Sequence, residues 1–552
     1  MKSHLLLCLL ALCLSGHFLA AQAIQGQLLD AESGEPVPYA SVQLSEPALG
    51  TLSNSLGYFS LQVPDSLGIE KVLMQINSFG YAPLQLAVEL PTAALEIQLP
   101  PQAFTLDAVV IYSVEMSPEE MVRQALKHRK DNYPTESYGL RTFYRHYCQE
   151  QGVAGRLIEA AIDLYDEDGY DGWQKKPEKK WGVNLRQLRR SLDFTKISPY
   201  RHLPIALFNT LEHDLMSYRN PVLHEMHREK LTYQFQDTTY HNGTVIYVVR
   251  AAGRLPRFEY SCDLYISTDD FAILKIEEQR ILGYRSSRRV LTYVEHFTTS
   301  YQQFQGKYYL QHLLNEGHRN TQFLDSLGQI SRRDDHYHHV ELMVNQVVPD
   351  ATPFYGGEPT AEQMAQTSYD PAFWRRYTVL QATPLEQDIE ADLAARVSLE
   401  EQFANYNQPD RILAIQEQLT EDRLERYLNS YRGQAVLLCF WDKGYVPGVQ
   451  ELLFARKLAK TLEGKSLQGG LIFLACEASE QKWQQTLDRK QMRYLGQHLR
   501  LARGLDSPIA QRFGATDSPY FVLLSPNREV ILQGSKLPKR SEIETLVEKL
   551  AE

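Results

Sequence analysis

The chain has 552 residues, with 57 Lys and Arg against 68 Asp and Glu, a formal charge of −11, 43% hydrophobic residues and six cysteines. That composition excludes a disordered chain, a collagen-like repeat and a small disulfide-stapled scaffold, and at roughly 150 residues per domain the length predicts three or four domains with cores of their own. The acidic balance also argues against nucleic acid or an anionic lipid surface as the main partner, because both select an excess of Lys and Arg.

The chain opens with Lys2, an apolar stretch over 5–20 and then Ala21-Gln22-Ala23. This is the order of a secretory signal and predicts residues 1–23 as a signal peptide and an exported mature chain. Cys13 follows Leu12 rather than a small residue, so no lipoprotein anchor is expected. No later stretch reaches the roughly 18 to 20 apolar residues of a membrane span. Cys8 and Cys13 fall in the leader, and the remaining Cys148, Cys262, Cys439 and Cys476 are too widely spaced to read as a staple system.

Residues 24–100 show short apolar alternations punctuated by Gly, Pro, Asn and Asp, the pattern of an antiparallel β-sandwich. Gly34 to Pro38 reads as a turn delivering a strand over 39–44. Residues 50–59 read as a hairpin bent at Asn54 and Gly57, and Phe79-Gly80-Tyr81 opens another strand. This combination resembles the carboxypeptidase-regulatory-like domain, a transthyretin-like sandwich found at the N-terminus of Bacteroidota envelope proteins. The family name raises the question of a peptidase. His338 and Glu341 have the three-residue spacing of a zinc carboxypeptidase pair. Residues 334–343 alternate like a strand, however, so positions three apart point to opposite faces and cannot serve one zinc. His336 and His338 do share a face with Asp334, which leaves a weaker metal reading open.

After a linker over 101–116, a middle domain is expected at 117–348, β-rich and of α+β class. Ser117-Pro118-Glu119-Glu120 carries a cap, a Pro at the first helical position and a Glu three after the cap, and Asn132-Tyr133-Pro134 stops that helix. Residues 140–145 read as an aromatic-basic strand. Runs at 231–235, 244–250, 257–267, 271–280, 290–299 and 308–314, joined by hairpin signals at 268–270 and 305–307, predict one curved antiparallel sheet. Its concave face would hold either an apolar ligand or, more simply, a helix. A basic stretch (Lys175, Lys176, Lys179, Lys180, Arg186, Arg189, Arg190) reads as a solvated face. An acidic one (Asp163, Asp166, Glu167, Asp168, Asp171) lacks the spacing of a calcium loop. Residues 349–408 read as a helical linker.

From 409 to 552 buried strands at 435–441, 471–476, 521–524 and 529–533 alternate with helical patterns at 450–462 and 541–550, an α/β arrangement. Phe440-Trp441, Trp483, the 496–499 stretch and Ser518-Pro519-Tyr520 resemble the exported TlpA-like thioredoxin domains. That resemblance implies a redox pair at the positions of Tyr445 and Gly448, flanking a retained Pro447. Neither residue can exchange a disulfide, since the reaction needs a thiolate nucleophile. Cys439 and Cys476 lie in apolar strands and read as small hydrophobes. The expected fold is therefore multidomain: an N-terminal all-β sandwich, a β-rich α+β middle and a C-terminal α/β thioredoxin-like domain without its thiols. The expected function is that of an exported binding or scaffold protein of the envelope with no catalytic residues and no cofactor or metal. The surface around Trp441, Tyr445, Pro447, Gly448 and Pro519 would serve an envelope protein partner or small ligand. The rival readings are a redox or antioxidant enzyme of the thioredoxin superfamily and a carrier of an apolar ligand in the middle domain.

Overall fold

The computed structural model describes residues 22–46, 48–64, 68–102, 116–170, 181–195, 207–212, 214, 221–222, 225–324, 328–442, 469–477, 482–483, 486–487 and 497–536. The predicted leader over 1–21 and the helices expected at 450–462 and 541–550 lie outside them. The chain divides into two compact units between Asn407 and Gln408.

The first unit begins with seven strands, β1 (Gln22–Asp30), β2 (Ser41–Leu44), β3 (Leu49–Leu52), β4 (Tyr58–Val63), β5 (Lys71–Asn77), β6 (Leu84–Glu89) and β7 (Leu95–Leu99). They form two sheets, ordered β4-β1-β7 and β3-β2-β5-β6. Strand alternation puts Val72, Met74 and Ile76 of β5 inward, against Ile24, Leu28, Phe59 and Leu61 of the facing sheet. The expected sandwich is present, with one correction. Residues 50–59 are not a hairpin: β3 pairs with β2 and β4 with β1, so the chain turns a corner between sheets. Asn54 makes that corner, its Oδ1 accepting from the amides of Leu56 (2.9 Å) and Tyr58 (3.0 Å). Gly57 is required there, because at φ +76° a Cβ would lie 2.4 Å from the Leu28 carbonyl oxygen.

Two helices follow, α1 (Pro118–Lys127) and α2 (Arg129–Asn132), and the Ser117 hydroxyl caps α1 as its sequence predicts, accepting from Glu120 at 3.1 Å. Ten strands then build one antiparallel sheet: β8 (Tyr138–Glu150), β9 (Val153–Asp166), β10 (Trp181–Arg190), β11 (Thr232–His241), β12 (Thr244–Arg254), β13 (Glu259–Ser267), β14 (Ile273–Arg285), β15 (Arg289–Phe304), β16 (Lys307–Leu324) and β17 (Ile330–Val348). The order is β10-β9-β8-β17-β16-β15-β14-β13-β12-β11. The hairpins at 268–270 and 305–307 fall where the turn chemistry places them, Gln305 and Gly306 both at positive φ. On the inner face one apolar core runs from Leu188 on β10 to Val249 and Ala251 on β12. It is filled by Met121, Val122 and Ala125 of α1, by Tyr133, and by Leu207 and Leu211 of α3 (Leu207–Leu211). The space an apolar ligand would need along this stretch is thus occupied by the protein's own helices.

The segment 349–408, expected to be a helical linker, does form helices, but they are a structural layer rather than a spacer. On the sheet's outer face, Trp374 of α6 (Pro371–Trp374) packs with Phe143, Ala161 and Met343, and with Leu52 of the sandwich. Ile389 and Leu393 of α7 (Pro384–Ala394) and Phe403 of α8 (Leu399–Asn405) pack on Tyr147, Ala154 and Leu157. A further helix, α5 (Ala361–Gln366), precedes them with a capping box at Thr360 and Gln363. One short helix, α4 (Glu225–Arg228), leads into β11.

The second unit carries α9 (Pro409–Ser430), β18 (Ala435–Trp441), β19 (Gly469–Ala475), β20 (Gln497–Arg500), α10 (Pro508–Arg512), β21 (Tyr520–Leu524) and β22 (Val530–Gly534). Sheet order is β20-β19-β18-β21-β22, with β19 parallel to β18 and β20 parallel to β19, while β21 and β22 run antiparallel. Every residue of the central strand β18 is buried. Val436, Leu438 and Phe440 face Leu424 and Leu428 of α9 and Ile509 of α10, and Leu437, Cys439 and Trp441 face Phe473, Trp483 and Leu487. This mixed sheet around a central strand is the thioredoxin-like arrangement.

Tyr133 ties α2 to the sheet through its hydroxyl, which donates to the Ile273 carbonyl (2.7 Å) and accepts from the Ile273 amide (3.1 Å). Tyr133→Phe leaves both backbone groups buried without a partner. Urea unfolding followed by tyrosine fluorescence should show the first unit destabilised by roughly 1–3 kcal/mol.

Candidate functional site

Of the residues expected to form a C-terminal site, the described part places two. Trp441 ends β18 and is buried in the layer with Cys439, Phe473 and Trp483. Ser518-Pro519 is a cis peptide directly before β21. The register pairing Phe440 with Tyr520 brings Pro519 to the end of β18 beside Trp441. Tyr445, Pro447 and Gly448 lie outside the described residues. Cys148, Cys262, Cys439 and Cys476 form no disulfide, and three of them are buried. Burial, with Asp442 and Glu417 nearby, pushes the half-buried Cys476 thiol up to about 12, far from the range of an attacking thiolate.

A second constellation, absent from the sequence reading, lies on the outer face of the ten-stranded sheet. Strand register sets Arg189 (β10), Glu159 (β9), Arg145 (β8) and Glu341 (β17) directly opposite one another across four adjacent strands. Arg145 Nε donates to Glu159 at 2.8 Å, its Nη1 reaches Glu386 of α7 at 3.1 Å and its Nη2 donates to the Leu380 carbonyl at 2.9 Å. Arg189 closes the other side of Glu159 and lies 4.5 Å over the Trp374 ring. Beyond Arg145, Glu341 meets His312 Nε2 at 2.7 Å and His339 Nε2 at 3.4 Å, and His339 Nδ1 faces Glu316 at 3.2 Å. Tyr147 stacks on His339 with ring centroids 4.6 Å apart, and Tyr39 of the sandwich stacks on His312 at 5.4 Å.

Burial works against every charge in this row, and the partners decide the outcome. The Glu159 carboxyl is desolvated, yet Arg189 and Arg145 hold it below the usual carboxylate range. Glu341 is likewise desolvated and likewise depressed by hydrogen bonds from His312 and His339. His339 is raised to about 9 despite its burial, because Glu316 and Glu341 both accept from it.

Among the described residues, His339, Glu341 and Glu386 are the group whose donor atoms lie close enough to surround one metal ion, all within 4.8 Å. Their lone pairs are already engaged: Glu386 by Arg145 and by the Thr383 amide at the start of α7, Glu341 by two imidazoles. With the Arg145 guanidinium inside the cluster, it reads as a buried polar clamp between sheet and helix layer. The signal for it in the sequence was the alternation His339, Glu341 against Arg145 and Glu159, which places like positions on one face once β8 and β17 are known to pair.

His336 and His338 share the inner face, but Asp334 is held by Arg332 at 2.6 Å and does not join them. Arg189 belongs to the buried row and Arg186 lies over Phe373, so that end of the basic stretch is not a solvated face. Lys175, Lys176, Lys179 and Lys180 lie outside the described residues. In the acidic stretch, Asp163 faces Arg186 at 3.8 Å, and Asp171 lies outside the described residues.

The family model of the CarboxypepD_reg-like domain matches residues 24–111, the sandwich and the stretch after it. No curated protein matches the chain. Among solved structures, a thiol-disulfide oxidoreductase from Bacteroides fragilis is similar at 17% identity, over 21% of this chain and 82% of that one, with a TM-score of 0.19. The thioredoxin domain of a thiol-disulfide oxidoreductase from Bacteroides vulgatus is similar at 17% identity, over 23% and 84%, TM-score 0.19. A secreted disulfide oxidoreductase from Mycobacterium tuberculosis is similar at 17%, over 22% and 84%, TM-score 0.16. The thioredoxin-like assignment above rests on the strand order of the second unit itself. No described helix is long and apolar enough to cross a membrane.

The outer-face row makes two predictions. Arg145→Met leaves Glu159, Glu341 and Glu386 buried without their shared guanidinium, and chemical denaturation should show a loss of roughly 3–5 kcal/mol. Because His339 is raised to about 9 on folding, its contribution is complete below the unfolded imidazole value of about 6.5 and is lost as pH rises through about 9. Urea midpoints of the wild type should therefore fall over that interval, and His339→Gln should remove that part of the fall.

Proposed function

We propose that the chain is an exported, non-catalytic binding or scaffold protein of the cell envelope, in which the thioredoxin-like unit serves as a protein-interaction module. The observation that carries this reading is the state of the thiols. The sequence holds no Cys-x-x-Cys, Tyr445 and Gly448 stand at the positions the resemblance assigns to the redox pair, and Cys439 and Cys476 are placed for packing. Export is supported by the leader-like order of residues 1–23, and an envelope setting by the sandwich. The face around Trp441 and Pro519, where relatives of this fold meet their client chains, is the surface proposed to hold an envelope protein.

Insulin reduction by dithiothreitol tests the reading on the full chain. Precipitation should proceed at the rate of the reductant alone, and acceleration by the wild-type protein would overturn the non-catalytic assignment. The double variant Tyr445→Cys with Gly448→Cys should accelerate the reaction, because it restores a dithiol where the frame would use one. Failure of a folded double variant to do so would refute the register on which the assignment depends.

A further inference from the structure

The inner face of the ten-stranded sheet has two halves of opposite character. One half is the apolar core filled by α1 to α3. At the other end three successive rows of inward-facing residues carry polar groups. The first row holds Arg190, His146 and Asn315 with Ile158 and Val340 between them, the second Arg156, Cys148 and His338, and the third Glu150, His336 and Arg319.

Several of these side chains lie close together. Arg156 Nη2 lies 3.5 Å from His146 Nδ1, and the rings of His336 and His338 are 5.9 Å apart. Arg156 helps hold down the basicity of His146, His336 and Arg190 alike, behind the larger effect of burial, so all four groups lie within one electrostatic neighbourhood. Gly317 makes the space, because a Cβ there would stand 2.0 Å from His338 Cε1. A bare backbone on β16 lets that imidazole occupy the position.

The cluster holds more bases than acids, and its acids are Asp193, Glu150 opposite His336 and Glu295 opposite Gly317. Arg156 meets Asp193 at 3.4 Å. Arg190 and Arg319 make no hydrogen bond or ion pair among the described residues. His336 is 2% exposed, and neither of its ring nitrogens has a hydrogen-bond partner there. Nearby Glu295 accepts from Tyr293 at 2.7 Å and is pushed by burial toward its neutral form. A guanidinium without an ion pair, as at Arg319, beside a buried imidazole without a hydrogen bond is costly unless something anionic completes the set.

We infer that this end of the inner face is a binding site for a small oxyanion-bearing ligand, a phosphate or a carboxylate, held by Arg156 and Arg319 with His336 donating to it. Guanidinium suits either group through paired N–H donors. The site goes beyond the scaffold function proposed above and is independent of it, since it lies in the other unit and involves no thiol.

Calorimetric titration of the full chain at pH 7 in chloride buffer, with inorganic phosphate in one arm and citrate in the other, tests the site. At least one probe should bind saturably at one site, and the arm that binds more tightly names the chemistry. Arg319→Met, at a half-exposed position where folding is preserved, should weaken binding about tenfold or more, and His336→Leu should weaken it measurably. Arg156→Met should abolish it, and if that variant does not fold, Arg319→Met decides alone. Absence of saturable binding in both arms, or binding unchanged in folded Arg319→Met and His336→Leu, would overturn the inference. Insulin-reduction behaviour is unaffected by either outcome, so the two proposals fail separately.

Discussion

Arg145 has an acid on each side of it along the sheet, Glu159 and Glu341, and a third above it, Glu386. All three carboxylates and the guanidinium are almost wholly shielded from water. A charge so placed is tolerated only when its neighbours are in position, which makes the row a strict condition on everything around it. Strand register must be correct to one residue on four strands, since a slip would turn each charge to the inner face and into the apolar core. Helix α7 must dock with Glu386 downward, because that carboxylate both accepts from Arg145 and caps its own helix. Tyr39 must come from the sandwich to cover His312. The sandwich, the sheet and the helix layer of the first unit are thus held in one arrangement by a polar contact more selective than their apolar packing.

The two faces of the sheet use the same residue types to opposite ends. Outside, each Arg and His is met by an acid and the charges cancel locally. Inside, at the histidine-lined end, the bases outnumber the acids, and burial keeps the imidazoles neutral. Strand alternation achieves this within a few residues of β17, where His339 and Glu341 point one way and His336 and His338 the other. The second unit shows a related economy. Its frame is complete in the layers on either side of β18, with Cys439 packed in one of them beside Phe473 and Trp483.

Much of the fold was legible in the chain because it rests on local signals. The Ser117 cap, the Asn54 and Gly57 corner, the Gln305-Gly306 turn and the all-apolar run of β18 each follow from nearest-neighbour chemistry. The hairpin expected at 50–59 failed because a turn signal does not say which sheet the next strand joins. The segment 349–408 read as a linker because α7 presents few apolar residues: its buried set is Ile389, Leu393 and the charged Glu386. A buried Glu looks like a solvated one until its partner is known. The outer-face row was hidden for the same reason, since Arg189, Glu159, Arg145 and Glu341 are scattered along the chain and only the pairing of β8 with β17 brings them together. The positions assigned to the redox pair were readable from resemblance alone and remain so.

That pairing of β8 with β17 also sets an order of events. The two strands are roughly two hundred residues apart in the chain, whereas every other pair of neighbours in the ten-stranded sheet is consecutive along the chain. Bringing distant segments together costs loop-closure entropy that local hairpins avoid. Strands β8 to β10 can form as one meander and β11 to β17 as another, each with an open edge, and the sheet becomes continuous only when the last strand has been delivered. Until then the edge of β8 is bare and Arg145 lacks Glu341. The final strand therefore acts as a zip fastener between two half-sheets, and a chain cut short before residue 330 would leave both halves with an exposed edge and a line of unmatched charge.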